Sequence, residues 1–142
     1  FKCFHRETVK GLLLTEHPRK CGECGSKLDV AGPLWLGKIF DKHFCGLMEK
    51  EAEGKKLRFK RRIWKILALT REESEAPVTY YVIDKICDTL ALSTPPIKKV
   101  MEALREKGFQ AFPTHFNPRG IRSNASAETI RKIVSTFYKD KI

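Results

Sequence analysis

No run of apolar residues in this chain approaches the roughly 20 needed to cross a bilayer, so no membrane partner is expected. A signal-peptide pattern is also missing: the chain opens Phe1-Lys2-Cys3, without a starting Met. A segment of a longer protein is the expectation. There is no Gly-rich phosphate loop, no nucleophile elbow and no His-x-x-x-His metal helix. Gly22, Gly25 and Gly32 do not form a dinucleotide fingerprint. No catalytic residue is therefore assigned, and the segment alone reads as a binding module. No internal repeat or low-complexity stretch occurs. The five cysteines are an odd count, which argues against a secreted disulfide framework and makes the cytoplasm the expected location.

What the chain has in excess is positive charge. Its 142 residues carry a net charge of +11. The surplus is lopsided: residues 1–71 hold 17 Lys and Arg against 8 Asp and Glu, residues 72–142 hold 11 against 9. Charge beyond what solubility asks for points to a polyanion, with nucleic acid the natural one. The stretch from Lys55 to Lys65 is the richest, with seven basic residues in eleven and no acid. Read as a helix, it buries Phe59, Ile63, Ile66 and Leu67. Arg58, Arg61, Arg62 and Lys65 line the adjacent face, where like charges repel unless a ligand neutralises them. Phosphates do so. An amphipathic helix on anionic lipid is the rival, disfavoured because the apolar stripe has an ordinary core-facing width.

Cys21-Gly22-Glu23-Cys24-Gly25 has the spacing that turns two thiolates toward one tetrahedral metal. Cys3 lies 18 residues earlier, about the separation between knuckles of a zinc ribbon. Cys3, Cys21 and Cys24 are the candidate ligands of a Zn site. A second paired cysteine would fall just before Phe1. His5, His17 or Cys45 could complete the set, and none is preferred by spacing. A degenerate knuckle, or a disulfide formed on oxidation, is the alternative.

Trp35, between apolar neighbours, is expected in the core. A helix is expected from Ile39 to Glu51 with Phe40, Phe44, Leu47 and Met48 on its buried face, Cys45 buried beside it and His43 exposed. Gly54 should end it. Arg71 to Pro77 reads as an acidic connector and the best internal boundary, separating 1–71 from 72–142. Beyond it, Ile83, Ile86, Cys87 and Leu90 mark one helix, and Ile97, Val100, Met101 and Leu104 another. Thr94 is placed as N-cap of the second, Pro95 at its first position and Gly108 as its stop. Phe109 to Phe112 and Ile121 to Ser123 then flank a turn at Asn117-Pro118-Arg119-Gly120. Helix, turn, helix and ribbon make a winged-helix pattern. A last helix, Ala127 to Lys139, should bury Ile130, Ile133, Val134 and Phe137 and leave Arg131 and Lys132 solvated. His115 reads as structural. The fold class is α+β: a small Cys-knuckle and β region plus helices, then the winged-helix-like part and a C-terminal helix.

Two stretches carry a family resemblance that covers essentially the whole chain. Ala31-Gly32-Pro33-Leu34-Trp35-Leu36-Gly37 and Thr114-His115-Phe116-Asn117-Pro118-Arg119-Gly120-Ile121-Arg122 resemble signatures of the tRNA guanine-N2 dimethyltransferases that modify position 26. The Lys/Glu-rich composition resembles archaeal members. Ser123-Asn124-Ala125-Ser126 departs from the family's usual continuation. The resemblance implies that residues 1–142 are the C-terminal, tRNA-binding domain of a two-domain enzyme. S-adenosylmethionine and the catalytic residues would belong to an N-terminal domain outside this chain. It also implies tRNA contacts from Lys55, Lys56, Arg58, Arg61, Arg62 and Lys65, and from Arg119 and Arg122 at the wing tip. The competing readings are a winged-helix, zinc-ribbon DNA-binding regulator and a purely structural domain. The second helix of the pair argues against the regulator, offering mostly Lys and Glu where base readers offer Arg, Asn or Gln.

Overall fold

The computed structural model describes residues 2–9 and 18–138. His17 and Lys139 lie outside them. In chain order the elements are α1 (Lys42–Gly54), α2 (Lys60–Glu72), a 3-10 turn (Glu73–Glu75), β1 (Tyr81–Val82), α3 (Ile83–Thr89), α4 (Ile97–Glu106), β2 (Ala111–Pro113), β3 (Gly120–Ser123) and α5 (Ala127–Thr136).

The apolar core belongs to the second half. Ile83, Ile86 and Cys87 of α3 meet Val100 and Leu104 of α4 and Ile130, Ile133 and Val134 of α5. These are the expected positions, because a 3.6-residue period puts them on one stripe of each helix. Ser126 caps α5 by accepting a hydrogen bond from the Thr129 amide. Gly108, at φ +81°, ends α4 as anticipated. The Phe109 amide donates to the Leu104 carbonyl and the Gly108 amide to that of Arg105, so the last carbonyls are satisfied.

The start of α4 differs from expectation. Pro96, not Thr94, is its N-cap, and no side chain caps it. Pro95 precedes a proline, and that neighbour's ring pushes it out of helical geometry. The end of α3 uses the same closing pattern as α4, but with Ala91 at φ 52°. An alanine in this region is strained by about 1–2 kcal/mol. Ala91→Gly is expected to raise stability by about 0.5–1 kcal/mol, read as an increase in thermal midpoint.

The ribbon is part of a three-stranded sheet, order β1-β3-β2. β3 pairs antiparallel with β2 through Phe112↔Arg122 and with β1 through Tyr81↔Ile121. Helical periodicity from Ile83 onward does not reveal β1, although Thr79 to Val82 is β-branched and aromatic. The β2–β3 turn closes through the Gly120 amide and the Asn117 carbonyl, 2.9 Å apart. A Cβ at Gly120 would stand 2.8 Å from Thr114 Oγ1, so the turn requires glycine there.

The first half packs differently. α1 and α2 pack as a hairpin, which the short link between them makes antiparallel. Cys45, Glu49 and Ala52 form the buried stripe of α1, while Phe44 and Leu47 are exposed and Phe40 and Met48 only half-buried. The expected face is one position off, because hydrophobicity alone does not reveal that a carboxylate, Glu49, is drawn in by Arg71 (3.2 Å). His43 is exposed, as expected. Trp35 is 72% exposed with Leu34 and Leu36 beside it, not core. No helix among the described residues is long and apolar enough to cross a membrane.

Candidate nucleic-acid interface and thiol cluster

α2 starts at Lys60, so the basic stretch is not one helix. Lys55, Lys56 and Arg58 lie in the α1–α2 link, with the Arg58 guanidinium 5.4 Å over the Phe59 ring. Phe59 itself is exposed at the N-cap and Ile66 is partly exposed, so only Ile63 and Leu67 of the expected stripe turn inward. Lys55 pairs loosely with Glu51 (3.6 Å), and Lys60 Nζ donates to the Glu53 carbonyl (2.8 Å). Lys56, Arg58, Arg61, Arg62 and Lys65 are exposed and form no ion pair among the described residues. One end of the hairpin therefore carries a block of uncompensated positive charge. Arg61 and Lys65 sit one turn apart, within reach of successive phosphates of a backbone.

The two arginines of the ribbon part company. Arg119 is exposed at the turn, its Nε 3.6 Å from Asp84. Arg122 is only 4% exposed, and its partners overturn the expectation that it binds phosphate. Its Nε donates to Glu73 (2.7 Å) and its Nη1 to the carbonyls of Pro77 and Val78. A guanidinium committed in this way and closed off from solvent is not available to RNA. Glu73, 1% exposed, also accepts from the His115 amide and lies 2.9 Å from His115 Nδ1. His115 is thus structural, as expected. The residues read as an acidic connector contain the most deeply buried carboxylate among the described residues. Sequence reasoning misses Glu73 because acidic runs are normally solvated. Arg105 of α4 is also occupied, donating to the Ala111 carbonyl and lying 3.7 Å from Glu72.

Cys3, Cys21 and Cys24 come together, with all three sulfurs within 4.8 Å of one another. Cys3 and Cys21 are buried and 3.6 Å apart. The turn that carries Cys21 and Cys24 closes just past Cys24, at Gly25 with φ +67°, whose amide donates to the Cys21 carbonyl. Hydrogen bonds from the Ser26 side chain and amide, then from Cys3, hold the Cys24 thiol down at about 6. Burial pushes Cys3 up. His5 does not join them: its ring bridges Glu7 and Glu23, both at 2.8 Å, and these bonds raise its pKa and favour the protonated ring that cannot coordinate. Cys45 is buried among Asp41, Glu49 and Arg71, apart from the cluster.

Residues 1–135 match the sequence profile of the N2,N2-dimethylguanosine tRNA methyltransferases. The chain belongs to this family. The tRNA (guanine(26)-N(2))-dimethyltransferase of Methanobrevibacter smithii is 45% identical over 135 residues, which are 95% of this chain and 34% of that protein. The tRNA (guanine(26)-N(2)/guanine(27)-N(2))-dimethyltransferase of Aquifex aeolicus is 36% identical over 93% of this chain and 32% of its own. A solved complex of Trm1 from Pyrococcus horikoshii with S-adenosyl-L-methionine superposes with TM-score 0.66 at 31% identity, over 78% of this chain and 30% of that one. The α+β fold of this family member, with five helices and a three-stranded sheet among the described residues, is thus shared with a solved structure. The chain spans about a third of the length of the curated relatives it matches.

Proposed function

We propose that this chain is the C-terminal, tRNA-binding domain of an S-adenosylmethionine-dependent enzyme that dimethylates N2 of guanine 26 in tRNA. The observation that carries the reading is the uncompensated basic end of the α1–α2 hairpin. Structured RNA is held largely by shape and phosphates, and an enzyme acting on a base needs a firm grip on the flanking backbone. Lys55, Lys56, Arg58, Arg61, Arg62 and Lys65 supply that grip, with Arg119 at a second point. Bound S-adenosylmethionine supplies the methyl group, from the part of the enzyme that lies outside this chain. The exposed Leu34-Trp35-Leu36 stretch faces that absent part, as apolar surface left over when two thirds of a protein's length is missing. The order β1-α3-α4-β2-β3, with an antiparallel ribbon after two helices, fits a winged-helix unit. The division at residue 71 and a cytoplasmic location belong to the same reading.

The thiol cluster fits a structural Zn site in donor chemistry: three cysteines fill three of the four positions such a site uses. Cys3, Cys21 and Cys24 would hold the ion, fastening a region that has almost no apolar core of its own among the described residues. In the metal-free chain iodoacetamide should label Cys24 ahead of buried Cys45 and Cys87, fading as pH falls through about 6. Zn should suppress that labelling. Unchanged labelling with Zn would leave the cluster a metal-free knuckle.

The test of function is binding to folded tRNA and to duplex DNA of similar charge across a salt series. Preference for tRNA at moderate salt supports the methyltransferase reading. Equal or better binding to DNA favours a DNA-binding regulator instead, against which the engagement of Arg105 with Ala111 and Glu72 already speaks.

A further inference from the structure

The basic hairpin offers more than charge, because α2 also presents an indole. Trp64 is 37% exposed and lines a groove of about 540 Å³ with Lys60, Arg61, Lys65 and, from α1, Glu53. The four α2 residues follow at i, i+1, i+4 and i+5, the spacing of one helix flank. Core-facing Ile63 and Leu67 lie beside that flank, so part of the indole is seated and part is offered outward.

We propose that Trp64 is a stacking platform for an unpaired base of the bound RNA. The inference rests on the tRNA-binding reading and specifies what that site takes. A groove that only collected phosphate would gain nothing from an indole, whereas a base has a face to lay against one, whatever its identity. Arg61 and Lys65, exposed on either side of Trp64 along the same flank, hold the backbone. Glu53, the acid among its lining residues, repels phosphate from the α1 wall and so turns the base, not the backbone, inward. Lys60 Nζ donates to the Glu53 carbonyl, which links the two helices beside the indole. The site therefore takes a single-stranded nucleotide: the same flank of α2 offers the indole to the base and the charge of Arg61 and Lys65 to its backbone.

The test uses the 142-residue chain with Trp35→Phe, which leaves Trp64 as its one tryptophan. Oligoadenylate of about ten nucleotides should quench its fluorescence, because stacking brings the base onto the indole. Inorganic polyphosphate of matched charge should not. Against folded tRNA, Trp64→Ala should weaken binding about five- to a hundredfold while leaving the salt slope unchanged, and Trp64→Phe should restore it to within a few-fold. If tRNA binds the parent but Trp64→Ala binds equally well, or polyphosphate quenches as oligoadenylate does, the platform is overturned and the tRNA reading survives. If the parent binds no RNA, both fall. Should Trp64→Ala not fold, the quenching comparison and the phenylalanine variant decide.

Discussion

Glu73→Ala is expected to cost about 3–5 kcal/mol of folding stability, the range for removing one partner of a buried ion pair. The cost comes less from the attraction removed than from what is stranded. Arg122 is buried, with Nε on Glu73 and Nη1 on the Pro77 and Val78 carbonyls. Without the carboxylate its charge stays in the interior without an anion, and the His115 amide is left without its acceptor. For a domain stable by about 5–15 kcal/mol this is a large fraction. Urea unfolding should show a lower midpoint at unchanged slope. Replacing both partners, as Glu73→Leu with Arg122→Met, should recover much of the stability, since no charge is then left buried. A cost below about 1 kcal/mol for Glu73→Ala would mean that water reaches Arg122. The effect also bears on function, because Glu73 closes the end of α2 against β3 and the loop before it. It sets where the basic hairpin stands relative to the Arg119 turn.

The second large effect concerns affinity. Arg61→Ala, Arg62→Ala and Lys65→Ala together should flatten the log–log salt dependence of tRNA binding by about 2–3, at roughly 0.7–0.9 for each phosphate no longer neutralised. The same numbers give the size of the weakening. Where the charge contribution vanishes near 1 M salt, three phosphates amount to about two decades at 0.1 M, or on the order of a hundredfold weaker binding. All three side chains are exposed and form no ion pair among the described residues, so their removal should leave the unfolding midpoint nearly unchanged. Unchanged affinity would show that the hairpin serves only as scaffold. A weakening confined to tRNA, with duplex DNA unaffected, would add that the hairpin reads RNA shape.

The distinction between these two experiments follows from what each arginine touches. Arg61, Arg62 and Arg122 are equal in sequence as basic residues near apolar ones. Only the fold shows that two face solvent while the third reaches across 49 residues to a carboxylate. No local pattern encodes a contact at that separation, which is why sequence reasoning sends Arg122 to RNA and leaves Glu73 in an acidic connector. The same limit applies to the start of α2. Lys55 to Lys65 has the period of a helix, but the link needed to fold α1 back on α2 takes its first five residues.

The sequence by itself determined the presence of the helices of the second half and most of their buried faces, though not the start of α4 or the half-burial of Phe137 and Arg131, together with the stop at Gly108, the turn before Gly120 and the family. Those depend on local periodicity, on backbone restrictions of Gly and Pro, and on signature stretches, all written over short spans. It also singled out Cys3, Cys21 and Cys24 as candidate ligands, and the fold brings their sulfurs within 4.8 Å of one another. Tertiary structure alone decided which charges are free and which are spent, which aromatic rings stay uncovered, and that β1 completes the sheet. Burial and pairing depend on which surfaces meet. For Trp35, Trp64, Glu73 and Arg122, those surfaces are set by residues far along the chain.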